Sequence, residues 1–167
     1  ILKKNSCTKD EDKLNGLFGL IDQNINFFLE VVMESQRDDG SYLFGPFQKE
    51  SLSIITYFLQ YGNLDFEQVD WIFDVAGFLW EQFLSNSTNS FLHNAYLSYF
   101  RQIIKYETNF VDFISEGDFL NIIPDIFSKR SIMQASFYGQ LLEISKILNN
   151  FLESQEIKIG QSWTQFT

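Results

Sequence analysis

One cysteine, Cys7, and one histidine, His93, are all that 167 residues hold of the two side chains most used for metal binding and nucleophilic chemistry. A lone thiol closes no intrachain disulfide, so a disulfide framework is excluded and a reducing compartment is the simplest setting. One histidine and one cysteine cannot assemble a zinc site of the usual composition. Nor can a single histidine supply the two Glu-x-x-His motifs of a di-iron bundle. A Ser/His/Asp triad would have to use His93 in Phe91-Leu92-His93-Asn94, and no Gly-x-Ser-x-Gly elbow occurs. Cys7, in a polar stretch with no histidine near it in sequence, reads as an ordinary thiol. No apolar run reaches the roughly 20 residues that span a bilayer. Basic residues are also short, 12 against 22 acidic, for a formal net charge of −10 and a pI near 4.4. Those basic residues are scattered, with Lys3-Lys4 and Lys129-Arg130 the only adjacent pairs. Phosphate backbones and anionic lipid surfaces repel such a chain, so neither nucleic acid nor membrane is expected as a partner.

The remaining acidic and glycine-bearing segments offer no better chemistry. Asp38-Asp39-Gly40-Ser41 resembles part of a calcium loop, but Leu43 and Phe44 stand where oxygen donors are needed. Gly16-Leu17-Phe18-Gly19 lies in a helical pattern and not in a phosphate loop. Glu67, Asp70, Asp74 and Glu81 share helical spacing, which reads first as a solvated face. No catalytic, cofactor-binding or metal-ligating residues are assigned, and no enzyme activity or cofactor is expected.

What is present favours helices. Two prolines and 19 phenylalanines in a chain that is 45% apolar leave long uninterrupted amphipathic runs. At this length roughly 70% of the unfolded surface can be buried, enough for a core without staples. Residues 1–12 form a polar, lysine-bearing leader with no apolar h-region, unlike a secretory signal. Residues 13–167 read as one helical-repeat domain, and a start at Ile1 instead of methionine suggests a piece of a longer chain.

Apolar spacing predicts six or seven helices. The first runs from Leu14 to Glu34, with Leu17, Leu20, Ile21, Asn24, Phe27, Phe28 and Val31 on one stripe. Gly45-Pro46 punctuates before a helix over Phe47 to Gln60, which Tyr61-Gly62-Asn63 ends. Asp65 to Leu84, capped by Asp65, is apolar on more than half its circumference, as an inner repeat helix would be. Ser90 opens a helix to about Tyr106, and Gly117 closes a short one over Phe110 to Glu116. Phe119 to Phe127 follows, with Pro124 cutting it or starting a new turn. Ser131 caps a long helix over Ile132 to Leu152, and the tail places Trp163 and Phe166 near its end. No segment alternates at period two over enough residues to demand a strand. The fold class is all-α, and the architecture expected is a fragment of an irregular HEAT/armadillo-like α-solenoid.

Three segments, in order, resemble the SAPS-domain family, regulatory subunits of a type 2A-like Ser/Thr phosphatase, the phosphatase 6 catalytic subunit. Asn89-Ser90-Phe91-Leu92-His93 is similar to the family's Asn-Asn-Phe-Leu-His, preceded here by the apolar run Phe78, Leu79, Trp80, Phe83 and Leu84. Ser136-Phe137-Tyr138-Gly139-Gln140-Leu141 resembles its Gly-Tyr-Met-Gly-His-Leu, and Trp163-Thr164-Gln165-Phe166 its closing Trp-x-x-Phe. The chain departs from the family at Asn86-Ser87-Thr88, where a Tyr-Pro-Trp is usual, and at Gln140, where a histidine is. A phosphatase 4-type regulatory subunit is the rival, since Phe91 to Phe113 also fits its Asn-Ser-Ala helix.

The resemblance implies a non-catalytic cytoplasmic scaffold, the nucleus also being open to it, whose partner is a Ser/Thr phosphatase catalytic subunit. Asn89, Phe91, Leu92, His93, Phe137, Gly139, Leu141, Trp163 and Phe166 would be structural. Phe91 and Leu92 are expected to enter the core, and His93 to hold a backbone carbonyl. Gly139, in mid-helix at a cost of about 1 kcal/mol against alanine, is expected where another helix crosses closely. Trp163 reads as a terminal plug. Trp71, Asp74 and Trp80 are the candidate partner contacts. A generic HEAT-like adaptor and a helical protein whose phenylalanines line a hydrophobic-ligand cavity are the other readings.

Overall fold

A computed structural model describes residues 16–34, 41–61, 70–129, 135–157 and 163. Among these the chain is all-α and contains no β-strand. It divides into two compact units, Ile1–Leu64 and Asp65–Thr167, where the sequence reading treats 13–167 as one domain.

The first unit holds α1 (residues 16–23), α2 (Ile25–Met33) and α3 (Pro46–Tyr61). Gly16-Leu17-Phe18-Gly19 is helical, as expected. The single helix expected over Leu14 to Glu34 is broken at Asn24. Its side-chain amide donates to the Leu20 carbonyl at 2.8 Å, and its backbone N–H reaches back only three residues, to the Ile21 carbonyl at 3.0 Å. Asparagine bonding its own local backbone is the usual competitor of a continuous helix, which apolar spacing alone does not register. Helix α3 starts on Pro46, whose missing N–H costs nothing there. Gln48 reaches back to accept from the Gly45 N–H at 2.9 Å, half of a capping box. Leu52, Ile55, Phe58 and Leu59 of α3 pack toward α2, whose Val32 is fully buried. The Tyr42 hydroxyl donates to the Val32 carbonyl, and burial raises its pKa.

The second unit holds α4 (Asp70–Ser85), α5 (Ser90–Ile103), α6 (Glu107–Glu116), α7 (Phe119–Ser128) and α8 (Ala135–Ser154). Helix α4 packs on α5 and α6, α6 on α7, and α8 on α5. The caps expected at Asp65 and Ser131 lie outside the described residues. At the start of α5 the cap is Asn89, whose Oδ1 accepts from the Leu92 N–H at 3.1 Å. Pro124 does not cut α7, which runs through it for ten residues. One N–H is forgone, and that loss is tolerated in a helix with a strongly apolar inner face, where Phe119 and Ile123 are buried.

Phenylalanine abundance becomes a continuous aromatic core. Trp80 stacks on Phe119, ring centres 4.1 Å apart and planes within 16°, and on Phe83 at 5.6 Å. Phe83 touches His93 and Phe137, while Phe119 leads to Phe100 and Phe113, Phe100 to Phe110, and Phe110 to Phe151. Each well-placed pair adds about 0.5–1.5 kcal/mol beyond the area it buries. Tyr99 anchors α5 to α4 by donating to the Ile72 carbonyl at 2.8 Å, and burial raises the pKa of its phenol well above the usual value. Trp163 is fully buried, its Nε1–H directed at Asn149 Oδ1 of α8 at 3.5 Å, in keeping with a plug on that helix.

Three expectations about the motif residues need correction. Phe91 is 62% exposed, because the cap at Asn89 turns Leu92 and His93 inward and leaves position 91 on the outer face. His93 is buried, but neither ring nitrogen makes an aligned hydrogen bond. Gly139 sits at no close helix crossing: a Cβ there would meet nothing within 4 Å. The glycine that the packing does require is Gly117, where a Cβ would collide with the ring edge of Phe119, 2.8 Å from its Cδ2.

The two glycines should therefore answer oppositely to alanine. Gly139→Ala is expected to raise the unfolding free energy by about 0.5–1 kcal/mol, through helix propensity and a less flexible unfolded chain. Gly117→Ala is expected to lower it by about 1–3 kcal/mol, because the displaced ring is wedged against Trp80. Urea titration of both variants checks the pair, and equal effects of one sign would refute the assignment.

Candidate functional site

A cleft of about 720 Å³ opens in the second unit between α4, α6 and the start of α7. Helix α4 contributes a stripe at positions 70, 74, 77 and 81, all on one helical face: Asp70, Asp74, Gly77 and Glu81. Helix α6 contributes Asn109, Asp112, Phe113 and Glu116, at i, i+3, i+4 and i+7, and the α6–α7 turn adds Asp118. Phe73 and Phe113, ring centres 5.6 Å apart, form the apolar floor with the edge of Trp80 and with Ile122. Gly77 leaves that floor open, since a Cβ there would meet nothing within 4 Å.

The floor is held by one joint. The Trp80 indole donates to the Gly117 carbonyl at 3.2 Å while its ring lies on Phe119. Gly117 ends α6, its N–H bonded to the Phe113 carbonyl at 2.9 Å. Asp118 then turns the chain into α7 with φ 50°, a left-handed conformation unusual for a residue with a side chain. Its Oδ1 accepts from Asn121 Nδ2 at 2.7 Å.

Charge at the cleft has one sign. Asp70, Asp74, Glu81, Asp112, Glu116 and Asp118 are all exposed, and among the described residues no basic side chain lines the space. None of the six makes an ion pair with a described residue. The described cations of this unit are engaged elsewhere: Arg101 and Lys146 at Glu143, Lys129 at Asp125, and Lys105 over the Tyr106 ring. The Lys146 hydrogen bond, followed by its charge and that of Arg101, lowers the Glu143 pKa. Among the described residues no group of three His, Cys, Asp or Glu side chains is placed to hold a metal ion.

Of the candidate contacts, Asp74 and Trp80 meet at this cleft. Asp74 stands on the rim, and Trp80, only 3% exposed, belongs to the wall and the core together. Trp71 is half-buried and does not line it. The α4 acids read from the sequence as a solvated face are the near rim, apart from Glu67, which lies outside the described residues. The far rim was not singled out, although the i, i+4 acidic pair Asp112 and Glu116 is visible in sequence. Cys7, Phe166 and Asp38 to Gly40 also lie outside the described residues.

In the first unit a second, apolar groove of about 700 Å³ runs between α1, α2 and α3. Leu17, Leu20, Phe27, Phe28, Ile54 and Tyr57 line it, with Leu20 and Phe27 each 60% exposed.

His93 sits apart from both spaces. Its ring packs 4.5 Å from Phe83 and 5.3 Å from Phe137. Burial lowers its pKa; the carbonyls of Asn86 and Phe83 lie near enough to oppose this without outweighing it. The ring is thus neutral in the folded chain near pH 7. The unfolded chain protonates it below about pH 6.5 and the folded chain only at lower pH, so stability falls with pH through that window. Urea midpoints are expected to drop between pH 7.5 and 5.5, above the range where most carboxylates titrate, and to drop less in His93→Phe. An equal drop in both proteins would place the titrating group elsewhere.

No family model, curated protein or solved structure matches this chain.

Proposed function

We propose that this chain is a non-catalytic regulatory or scaffold subunit whose partner is the catalytic subunit of a type 2A-like Ser/Thr phosphatase. The observation that carries the binding role is the concave acidic surface between α4 and α6, in which six carboxylates surround an aromatic floor. A protein that only needs to fold has little use for such a surface. Aspartates at 70 and 74 and acids at 112 and 116 are like-charge i, i+4 pairs, each destabilising by about 0.2–0.5 kcal/mol. Glu116 also stands in the last turn of α6, the end where the helix dipole disfavours negative charge. Local choices that oppose stability gather where a surface is used for something else.

The nature of the partner rests on the three SAPS-like segments. Two of them fall where the second unit is assembled: Asn89 caps α5 and Phe137 packs against Phe83 and His93. The position that holds histidine in the family is Gln140 here, and its amide donates to Asn94, which joins α8 to α5. A HEAT/armadillo-like architecture is part of the same reading. Packing of α4 on α5 and α6, and of α6 on α7, is compatible with stacked helix pairs, while α8 returns to α5. Among the described residues no helix is long and apolar enough to cross a membrane, in keeping with a cytoplasmic or nuclear scaffold.

Affinity purification from cell extract with this chain as bait, read by mass spectrometry, is expected to recover a phosphatase 6-type catalytic subunit. Recovery of the phosphatase 4-type subunit instead would move the chain to the rival family. Recovery of neither from a folded, helical bait would remove the phosphatase role and leave a generic adaptor.

A further inference from the structure

We infer that the α4–α6 cleft is the docking groove for a basic, amphipathic segment of the partner protein, in which lysines or arginines flank one or two apolar side chains. The inference builds on the scaffold reading by naming where the partner is held and by what chemistry.

Charge complementarity fixes the first half. The rim acids come from two helices facing each other across the cleft, and no described cation answers any of them. A ligand that brings positive charge to both edges at once relieves the repulsion within Asp70–Asp74 and within Asp112–Glu116. Nucleic acid and anionic lipid carry the wrong sign.

The floor fixes the second half. Phe73, Phe113 and the Trp80 edge lie between the two acidic rims, and at Gly77 no side chain fills the space. Such a floor accepts an apolar or aromatic anchor, and an arginine laid over the part-exposed Phe73 would gain from the ring face as well. A polyamine or free metal cation would use the rim and leave the floor wet. A space of about 720 Å³ holds several side chains, which suits a short segment better than a single cation. Because the floor is fixed by the Trp80–Gly117 bond and the Phe119 stack, it is formed before any ligand arrives.

The test uses the whole chain and a fluorescent synthetic peptide, a helical 14-mer with Lys and Arg flanking Leu and Trp, read by anisotropy at two salt concentrations. A cleft variant, Asp74→Asn/Asp112→Asn/Glu116→Gln, is compared with a variant that neutralises as many acids elsewhere, Asp125→Asn/Glu153→Gln/Glu156→Gln. The cleft variant is expected to bind about tenfold or more weakly with a shallower salt dependence, while the control stays within about twofold. The cleft variant should melt no lower than the parent, since like-charge pairs have been removed, which separates lost binding from lost folding.

Equal weakening in both variants would mean diffuse attraction by net charge and would overturn the groove. So would binding of spermine, or of a peptide with its apolar residues replaced by serine, as tightly as the parent peptide. The same variants used as bait separate this inference from the function proposed above. A phosphatase retained undiminished by the cleft variant sinks the groove and leaves the partner standing. Peptide binding that needs the cleft, with no phosphatase recovered by the parent, does the reverse.

Discussion

The stack of Trp80 on Phe119, with the Trp80 indole bonded to the Gly117 carbonyl, is the constraint around which the larger unit is built. It ties the middle of α4 to the turn between α6 and α7. It also dictates chemistry on both sides of itself. Position 117 must be glycine because the Phe119 ring occupies the space of a Cβ. Asp118 accepts a left-handed backbone because the chain must reverse at once for Phe119 to reach the indole. From Phe119 the aromatic contacts continue through Phe100 and Phe110 to Phe151, so α5 and α8 are drawn into the same core.

That joint also explains why the cleft exists. Holding α6 by its C-terminal end fixes Gly117 close to α4, while Asp112 and Glu116 remain on the outer face opposite the α4 stripe. Two acidic edges then stand across an aromatic floor with no described cation between them. Separately, neither stripe means more than a solvated helix face; facing each other, they define a surface with one sign of charge and a place for an apolar anchor.

Much of this was legible in the sequence, and the reasons for the rest are physical. Helix α3 was readable within a residue at each end, because Gly45-Pro46 and the apolar spacing agree. The break at Asn24 was not, since a side chain bonding its own backbone leaves the apolar pattern unchanged. Phe91 illustrates a general limit: apolar identity does not give helix phase, and the cap at Asn89 sets the phase that turns position 91 outward. Gly139 and Gly117 look alike in sequence, yet only the second is constrained, because there the Phe119 ring, stacked on a tryptophan 37 residues from the glycine, fills the space of a Cβ. Of the cleft, the α4 rim was visible as a periodic acidic stripe, with Asp74 and Trp80 named. The α6 rim was present as Asp112 and Glu116, but its placement opposite α4 depends on tertiary packing that no local pattern encodes.

The joint itself is most directly tested by hydrogen exchange at the indole nitrogens, followed by NMR in the intact chain. A Trp80 Nε1–H that is buried and bonded to Gly117 should exchange only through opening of the unit, at least about a hundredfold more slowly than that of half-buried Trp71. Gly117→Ala should bring the two rates closer together. A Trp80 indole exchanging as fast as Trp71 in the unsubstituted chain would contradict the joint, and with it the preformed floor of the cleft.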